Sequence, residues 1–135
     1  MAFIDWKPEY ALGVALLDEQ HARLADRVNG VADAIERGEN AAKIAALLAE
    51  LLDDTEQHFQ LEEQLMYQHF YVSRLPHKET HLSLLLQLKK LKDDFAAAKP
   101  YAASGTRELL RRWLLDHLFH ADRALAAHLR GRGVR

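Results

Sequence analysis

His58-Phe59-Gln60-Leu61-Glu62 and His77-Lys78-Glu79-Thr80-His81 are the two stretches on which the reading of this chain turns. On an α-helix a four-residue step rotates by about 400°, so the outer residues of each stretch stand only about 40° apart on one face. The first stretch continues an apolar pattern at three- and four-residue steps, Ile44, Leu47, Leu48, Leu51, Leu52, Phe59 and Met66, which is the signature of an amphipathic helix. Each stretch therefore turns two metal-ligating side chains toward the side of a helix that should be buried.

The three prolines and all the glycines but Gly30, which falls inside the first helical segment, stand where the helical pattern stops or starts. They divide the chain into an N-terminal arm, residues 1–17, and four helical segments. Helix A is expected from Asp18 as N-cap to about Arg37, with Gly38 as its stop and Leu17, Leu24, Val28, Val31 and Ile35 as its apolar stripe. Helix B should be capped by Asn40 and end near His69. Helix C should open near Ser73 and Pro76 and close before Pro100, and helix D should be capped by Thr106 or Ser104 and end at Gly131. Short connections between long amphipathic helices predict an all-α, up-down-up-down four-helix bundle over residues 18–131. The arm should be irregular, with Phe3, Trp6 and Tyr10 lying across the bundle, and residues 1–135 should form a single domain.

Composition narrows the function. A net charge of −2 leaves no excess of cations for phosphate contacts, so nucleic acid is not an expected partner. Cysteine is absent, which excludes disulfides, iron–sulfur clusters and thiol nucleophiles and suits a cytoplasmic protein. No run approaches the ~18 apolar residues of a membrane span, and the N-terminus lacks a leader pattern, so no membrane association is expected.

Eight histidines in 135 residues are the feature left to explain. Besides the two pairs, His21 follows Asp18 on helix A, and helix D carries His117 and Asp122, so every helix offers a ligand. Any one of these could be an ordinary surface or hydrogen-bonded side chain. Seven together in one bundle interior would be costly unless paired or coordinated. Seven ligands exceed a zinc tetrahedron, His-Glu-x-x-His is absent, and no glutamate has a histidine three residues later, as carboxylate-rich di-iron bundles require. Imidazoles with bridging carboxylates favour a pair of non-haem irons. Helix D holds one tension: a five-residue step from His117 to Asp122 would separate the side chains by about 140° on an ideal α-helix, so either the metal pair lies between them with Asp122 reaching in from the flank, or, as the favoured alternative, a π-bulge realigns them.

The ordered set His21, His58-Phe59, Glu62-Glu63, Met66, His77-Lys-Glu-Thr-His81, Trp113, His117 and Asp122, with an arm running from Trp6 through Gly13 to Asp18-Glu-Gln-His21, closely resembles the hemerythrin family in its bacterial single-domain form. The absence of a proline directly after Tyr71 departs from many relatives and bears on the turn between helices B and C. The resemblance implies that His77, His81 and His117 hold one iron, that His21 and His58 hold the other, and that Glu62 and Asp122 bridge them together with an oxo or hydroxo group. It implies reversible binding of dioxygen at the iron with one imidazole fewer, for storage, sensing or delivery to an oxygen-consuming partner enzyme. Leu24 and Phe59, close to the open-site ligands His21 and His58, and Leu114 and Leu118, flanking His117, are all apolar and are expected to wall the oxygen pocket; the resemblance places Leu114 over the gas. A di-iron peroxidase, or an enzyme handling peroxide or nitric oxide, is the alternative. Glu63 is expected to be solvated or an acceptor behind the ligands, His120 a surface or supporting residue, His69 and His128 surface residues, and Arg130, Arg132 and Arg135 a tail complementing the last helix end.

Overall fold

The computed structural model describes residues 3–135, apart from the side chain of Phe119. After a short 3-10 turn, Pro8–Tyr10, come helices α1 (Ala15–Glu36), α2 (Ala41–Gln68), α3 (Arg74–Ala96) and α4 (Thr106–His117), a π-helical turn Leu118–Asp122, and α5 (Arg123–Gly131). The last three run on as one rod, so the architecture is the expected four-helix bundle, with no strand among the described residues.

Helix ends follow local chemistry. The Asn40 side chain accepts a hydrogen bond from the Lys43 amide at 2.9 Å, capping α2 as expected. Gly38 takes φ +69° after α1, and the Glu39 amide reaches back to the Ala34 carbonyl at 3.0 Å, an end that glycine permits. At the end of α2 the same geometry recurs with a phenylalanine. Phe70 has φ +55°, and the Tyr71 amide closes on the Met66 carbonyl at 2.9 Å. A left-handed phenylalanine costs about 1–2 kcal/mol relative to glycine, which makes Phe70 a strained residue.

Two helix starts differ from expectation. Helix α1 begins at Ala15, three residues before Asp18, and Val14 occupies its N-cap without a side-chain hydrogen bond. Asp18 instead turns back to accept from the amides of Leu12, at 2.7 Å, and Gly13, at 3.2 Å, because the arm folds over α1 and would otherwise leave those donors unsatisfied. The N-cap of α4 is Gly105, at φ +72°, rather than Thr106 or Ser104; Thr106 is already helical and donates its hydroxyl to the Ala102 carbonyl.

The arm is held from the other side by Arg130, whose guanidinium donates to the Leu12 carbonyl. Arg130 is therefore a clamp on the arm rather than part of a free tail. Gly13, at φ +87°, is required here, since a Cβ would stand 2.8 Å from the Arg130 Cδ. Phe3 and Trp6 pack against the bundle as expected.

Apolar residues form two clusters rather than one. Leu24, Val28, Leu48, Leu51, Leu88, Leu110 and Leu114 belong to the larger, and Leu12, Leu17, Met66, Leu118, Leu125 and Leu129 to the smaller. On α1, His21 falls between Leu17 of one cluster and Leu24 of the other. On α2, His58 and Glu62 fall between Leu51 and Met66. A polar layer thus separates the two cores, and the bundle register that buries both cores sets the height of that layer.

Replacing Asp18 by Ala should lower stability by about 1 kcal/mol, as loss of a side-chain cap does, and should selectively speed amide hydrogen exchange at Leu12 and Gly13. Unchanged exchange at those amides would show that Asp18 does not hold the arm.

Candidate metal centre

All seven side chains singled out from the sequence meet in the polar layer. His21, His58, Glu62, His81 and Asp122 are no more than 1% exposed, and His77 is 5% exposed. Of the two alternatives for helix D the structure has the π-helical turn, at Leu118–Asp122; its extra residue per turn brings Asp122 round to within 2.9 Å of the His117 Nε2.

Glu62 and Asp122 each address their two oxygens to different sets of imidazoles. Glu62 Oε1 lies 3.1 Å from His77 Nε2, 2.9 Å from His81 Nε2 and 4.0 Å from His117 Nε2. Its Oε2 lies 3.0 Å from His58 Nε2 and 3.7 Å from His21 Nε2. Asp122 repeats the division: Oδ1 faces His77 at 3.2 Å and His117 at 2.9 Å, whereas Oδ2 faces His21 at 2.8 Å and His58 at 3.7 Å. The donor atoms accordingly fall into two groups, each within 4.8 Å of one another: Glu62, His77, His81, His117 and Asp122 in one, and His21, His58, Glu62 and Asp122 in the other. Only the two carboxylates belong to both.

The donor set fits a pair of metal ions. His58 Nε2, Glu62 Oε2, His117 Nε2 and Asp122 Oδ1 are buried yet make no hydrogen bond, although His58 Nε2 and Glu62 Oε2 are 3.0 Å apart, and His117 Nε2 and Asp122 Oδ1 are 2.9 Å apart. Such atoms aim at common points rather than at each other, which is the geometry of ligands and a costly one without an ion.

Two residues behind the cluster fix its tautomers. His58 Nδ1 donates to the Gln20 side-chain oxygen at 2.7 Å, and His81 Nδ1 donates to Glu63 Oε2 at 2.9 Å. With Nδ1 engaged outward, each ring turns Nε2 toward the centre. Glu63 is thus the acceptor rather than a solvated charge. Gln20 was not evident from the sequence, although its place directly before His21 was a signal. His120 is exposed at the surface. His128 departs from its expected surface position: it is half-buried and donates Nε2 to the His69 carbonyl at 2.6 Å, and His69 is half-buried too, because α5 packs against the end of α2.

Electrostatics reflect the crowding. Burial alone would lower the pKa of His58 and of His117. The charges and hydrogen bonds of Glu62 and Asp122 together overcome it, Glu62 contributing most at His58, which is pushed up to about 9, and Asp122 at His117, which is pushed up to about 10. Burial alone would raise both carboxylates, and at Asp122 so would the charge of Glu62. The charge of His58 at Glu62 and that of His117 at Asp122, together with hydrogen bonds from His21, His58 and His117, reverse this, and both carboxyl groups are held well below the usual range.

A cavity of about 10 Å³ adjoins the cluster, close to the smallest space that one water occupies. Leu24, Phe59, Leu114 and Leu118, the four apolar residues anticipated, all line it, together with His21, His58, His117 and Asp122. Leu84 and Trp113 line it as well and were not anticipated as lining residues. The Trp113 indole donates to the Leu84 carbonyl at 3.3 Å, tying the two together.

The family model of the hemerythrin HHE cation binding domain matches residues 12–129. The chain belongs to the hemerythrin family. It is 31% identical over 122 residues to the bacteriohemerythrin of Pseudomonas aeruginosa, spanning 90% of this chain and 78% of that protein. Myohemerythrin of Sipunculus nudus is 29% identical over 117 residues, spanning 87% of this chain and 86% of that protein. A crystal structure of wild-type hemerythrin superposes with a TM-score of 0.86 at 28% identity, covering 95% of this chain and 98% of that one. The hemerythrin fold and the histidine–carboxylate layer therefore agree. No described helix is long and apolar enough to cross a membrane.

Hemerythrin-type clusters freed of metal should respond to pH in a definite direction. For His58 and His117, raised above the unfolded value of about 6.5, the stabilisation is complete below that value and is lost as pH climbs through about 9 and about 10. For Glu62 and Asp122 it is complete above about 4 and is lost in acid. The metal-free protein should melt highest near pH 5–6.5 and progressively lower toward pH 10, and loading with iron should abolish the alkaline decline because ions replace the protons. Thermal melts with chelator and with iron test this; a metal-free melting temperature that rises from pH 6.5 to 10 would refute it.

Proposed function

We propose that this chain binds dioxygen reversibly at two iron ions held by His21, His58, Glu62, His77, His81, His117 and Asp122. The observation that carries the reading is the unequal division of imidazoles between the two ends of the shared carboxylates, three on one side and two on the other, with both members of the smaller set bordering the apolar cavity. His77, His81 and His117 would hold one ion, and His21 and His58 the other, with Glu62 and Asp122 bridging. The ion held by His21 and His58 would have one imidazole fewer than the other, and the apolar cavity that both residues border is where a small ligand would reach it.

When bound in the ferrous state, the ion pair supplies one electron each to dioxygen and recovers both on release. The protein's part is to hold and to exclude. Glu62 and Asp122 would hold both ions between them, and Gln20 and Glu63 keep the imidazoles of His58 and His81 from rotating. Leu24, Phe59, Leu84, Leu114 and Leu118 keep water and solutes from the ligand. Every titratable residue lining the cavity, His21, His58, His117 and Asp122, is itself a proposed ligand. No side chain there is left to deliver a proton, which favours a carrier over a peroxide- or nitric-oxide-handling enzyme. Storage, sensing or supply to an oxygen-consuming enzyme are the roles such a carrier serves.

Purified protein should contain two irons per chain, and Glu62→Ala should lose at least one of them, as measured by elemental analysis. After reduction, exposure to oxygen should change the absorption spectrum and removal of oxygen should restore it over repeated cycles. Spectra that never return, with steady consumption of reductant, would make the protein an enzyme. Leu114→Ala should retain two irons, lose about 2–5 kcal/mol of stability, and convert from the oxygenated to the ferric state severalfold faster. Equal decay of the two oxygenated proteins would mean that Leu114 does not shield the site.

A further inference from the structure

The end of the bundle nearest His77 exposes more apolar surface than folding requires. Tyr67, Phe70, Val72 and Leu75, around the turn between α2 and α3, are 70%, 75%, 95% and 62% exposed. Phe70 is also the residue held in the left-handed conformation, where glycine would be more stable and expose no ring. A strained, solvent-facing aromatic residue is explained by contact with something outside the chain.

The charge around this patch is one-sided. Arg74 stacks on the Tyr67 ring at 5.4 Å and Arg132 on the Phe70 ring at 5.5 Å. Residues 64–78 and 123–135, which meet through the His128–His69 hydrogen bond, contain six cations, Arg74, Lys78, Arg123, Arg130, Arg132 and Arg135, and no Asp or Glu; Lys78 pairs with Glu63 at 3.9 Å and Arg130 holds the arm, so Arg74 and Arg132 are the two that stand on the patch. With 18 Lys and Arg against 20 Asp and Glu in the whole chain, the remainder carries 12 against 20. A basic, aromatic patch on an otherwise acidic protein fits an acidic protein partner.

What lies beneath the patch says what the partner exchanges. A groove of about 530 Å³ is lined by Met66, Tyr67, Gln68, Phe70, Tyr71 and Arg74. Half-buried Tyr71 is one of its walls, and its ring centre is 6.3 Å from that of His77, a proposed iron ligand. The gas cavity borders neither Tyr71 nor His77. The patch therefore leads to the ion that has no open position, along an aromatic contact suited to electron tunnelling, and away from the space suited to gas.

We propose that this patch docks an acidic one-electron carrier protein, which reduces the ferric centre through Tyr71 and His77. The inference rests on the iron-pair reading above. Each reduced carrier gives up one electron, and two encounters return both ferric ions to the ferrous state; no bond forms or breaks. The carrier's acidic rim pairs with Arg74 and Arg132, and Phe70 seats in its apolar centre.

The test uses the full-length ferric protein with a reduced, acidic plant-type [2Fe–2S] ferredoxin as probe. Binding is followed by amide chemical shifts, and reduction by stopped-flow absorption, at low and high salt. Binding should shift amides of residues 67–75 and weaken with salt. Phe70→Gly should melt no lower than the parent, since it relieves the positive φ. Phe70→Gly and the pair Arg74→Glu/Arg132→Glu should each slow reduction by about tenfold or more, a rate change of the size that lost interfacial charge pairs produce, with iron content unchanged. Shifts elsewhere, or equal reduction rates in parent and variants, would overturn the docking site, as would equally fast reduction by a basic carrier. Reduction of the same samples with dithionite, followed by oxygen, separates the two readings: failure to oxygenate reversibly there counts against the oxygen-binding function, while the amide shifts still judge the docking surface.

Discussion

Two carboxylates buried in the middle of a helical bundle are the constraint to which the rest of this structure answers. Glu62 and Asp122 are essentially inaccessible to water, and an isolated carboxylate there would be expelled or neutralised. They remain because five imidazoles, from all four helical rods, converge on their four oxygens. Each rod must then present its ligand at the same height. That fixes the register of the bundle, divides the hydrophobic core into two clusters, and forces the fourth rod to take a π-helical turn so that His117 and Asp122 share a face. Local irregularity at that turn is thus a consequence of the site, not a fault in the helix.

Asymmetry within the layer follows from the same arrangement. The arm and α1 contribute one histidine, α2 a histidine and a glutamate, α3 two histidines, and the fourth rod a histidine and an aspartate. With Glu62 and Asp122 common to both donor groups, the five imidazoles are left to divide three and two. The side with fewer imidazoles borders an apolar cavity, and the side with more lies toward Tyr71 and the basic end of the molecule. On the proposed function, gas would approach through the cavity and electrons past Tyr71 and His77, with His117 of the larger set also bordering the cavity.

Much of this was legible in the sequence because ligand spacing and helix geometry are local. His58 to Glu62 and His77 to His81 are four-residue steps, and the five-residue step from His117 to Asp122 announced its own irregularity. What was not legible depends on contacts between distant segments. Asp18 reads as a helix cap, yet its carboxylate is drawn to the Leu12 and Gly13 amides by the folding of the arm. Arg130 reads as a charge at a helix end, yet it reaches across 118 positions to the Leu12 carbonyl. His128 reads as a surface residue until α5 meets the end of α2. Gln20 and Glu63 acquire meaning only when the rings they orient are in place, and Leu84 and Trp113 become cavity walls only when α3 faces α4.

The claim on which the whole account stands is that Glu62 and Asp122 each span two metal ions. The most direct measurement is the anomalous scattering of iron from crystals of the loaded protein. The account predicts two peaks per chain, one contacted by Glu62 Oε1 and Asp122 Oδ1 together with His77, His81 and His117, the other by Glu62 Oε2 and Asp122 Oδ2 together with His21 and His58. A single peak, or two peaks of which either lacks one of these carboxylates, would contradict it.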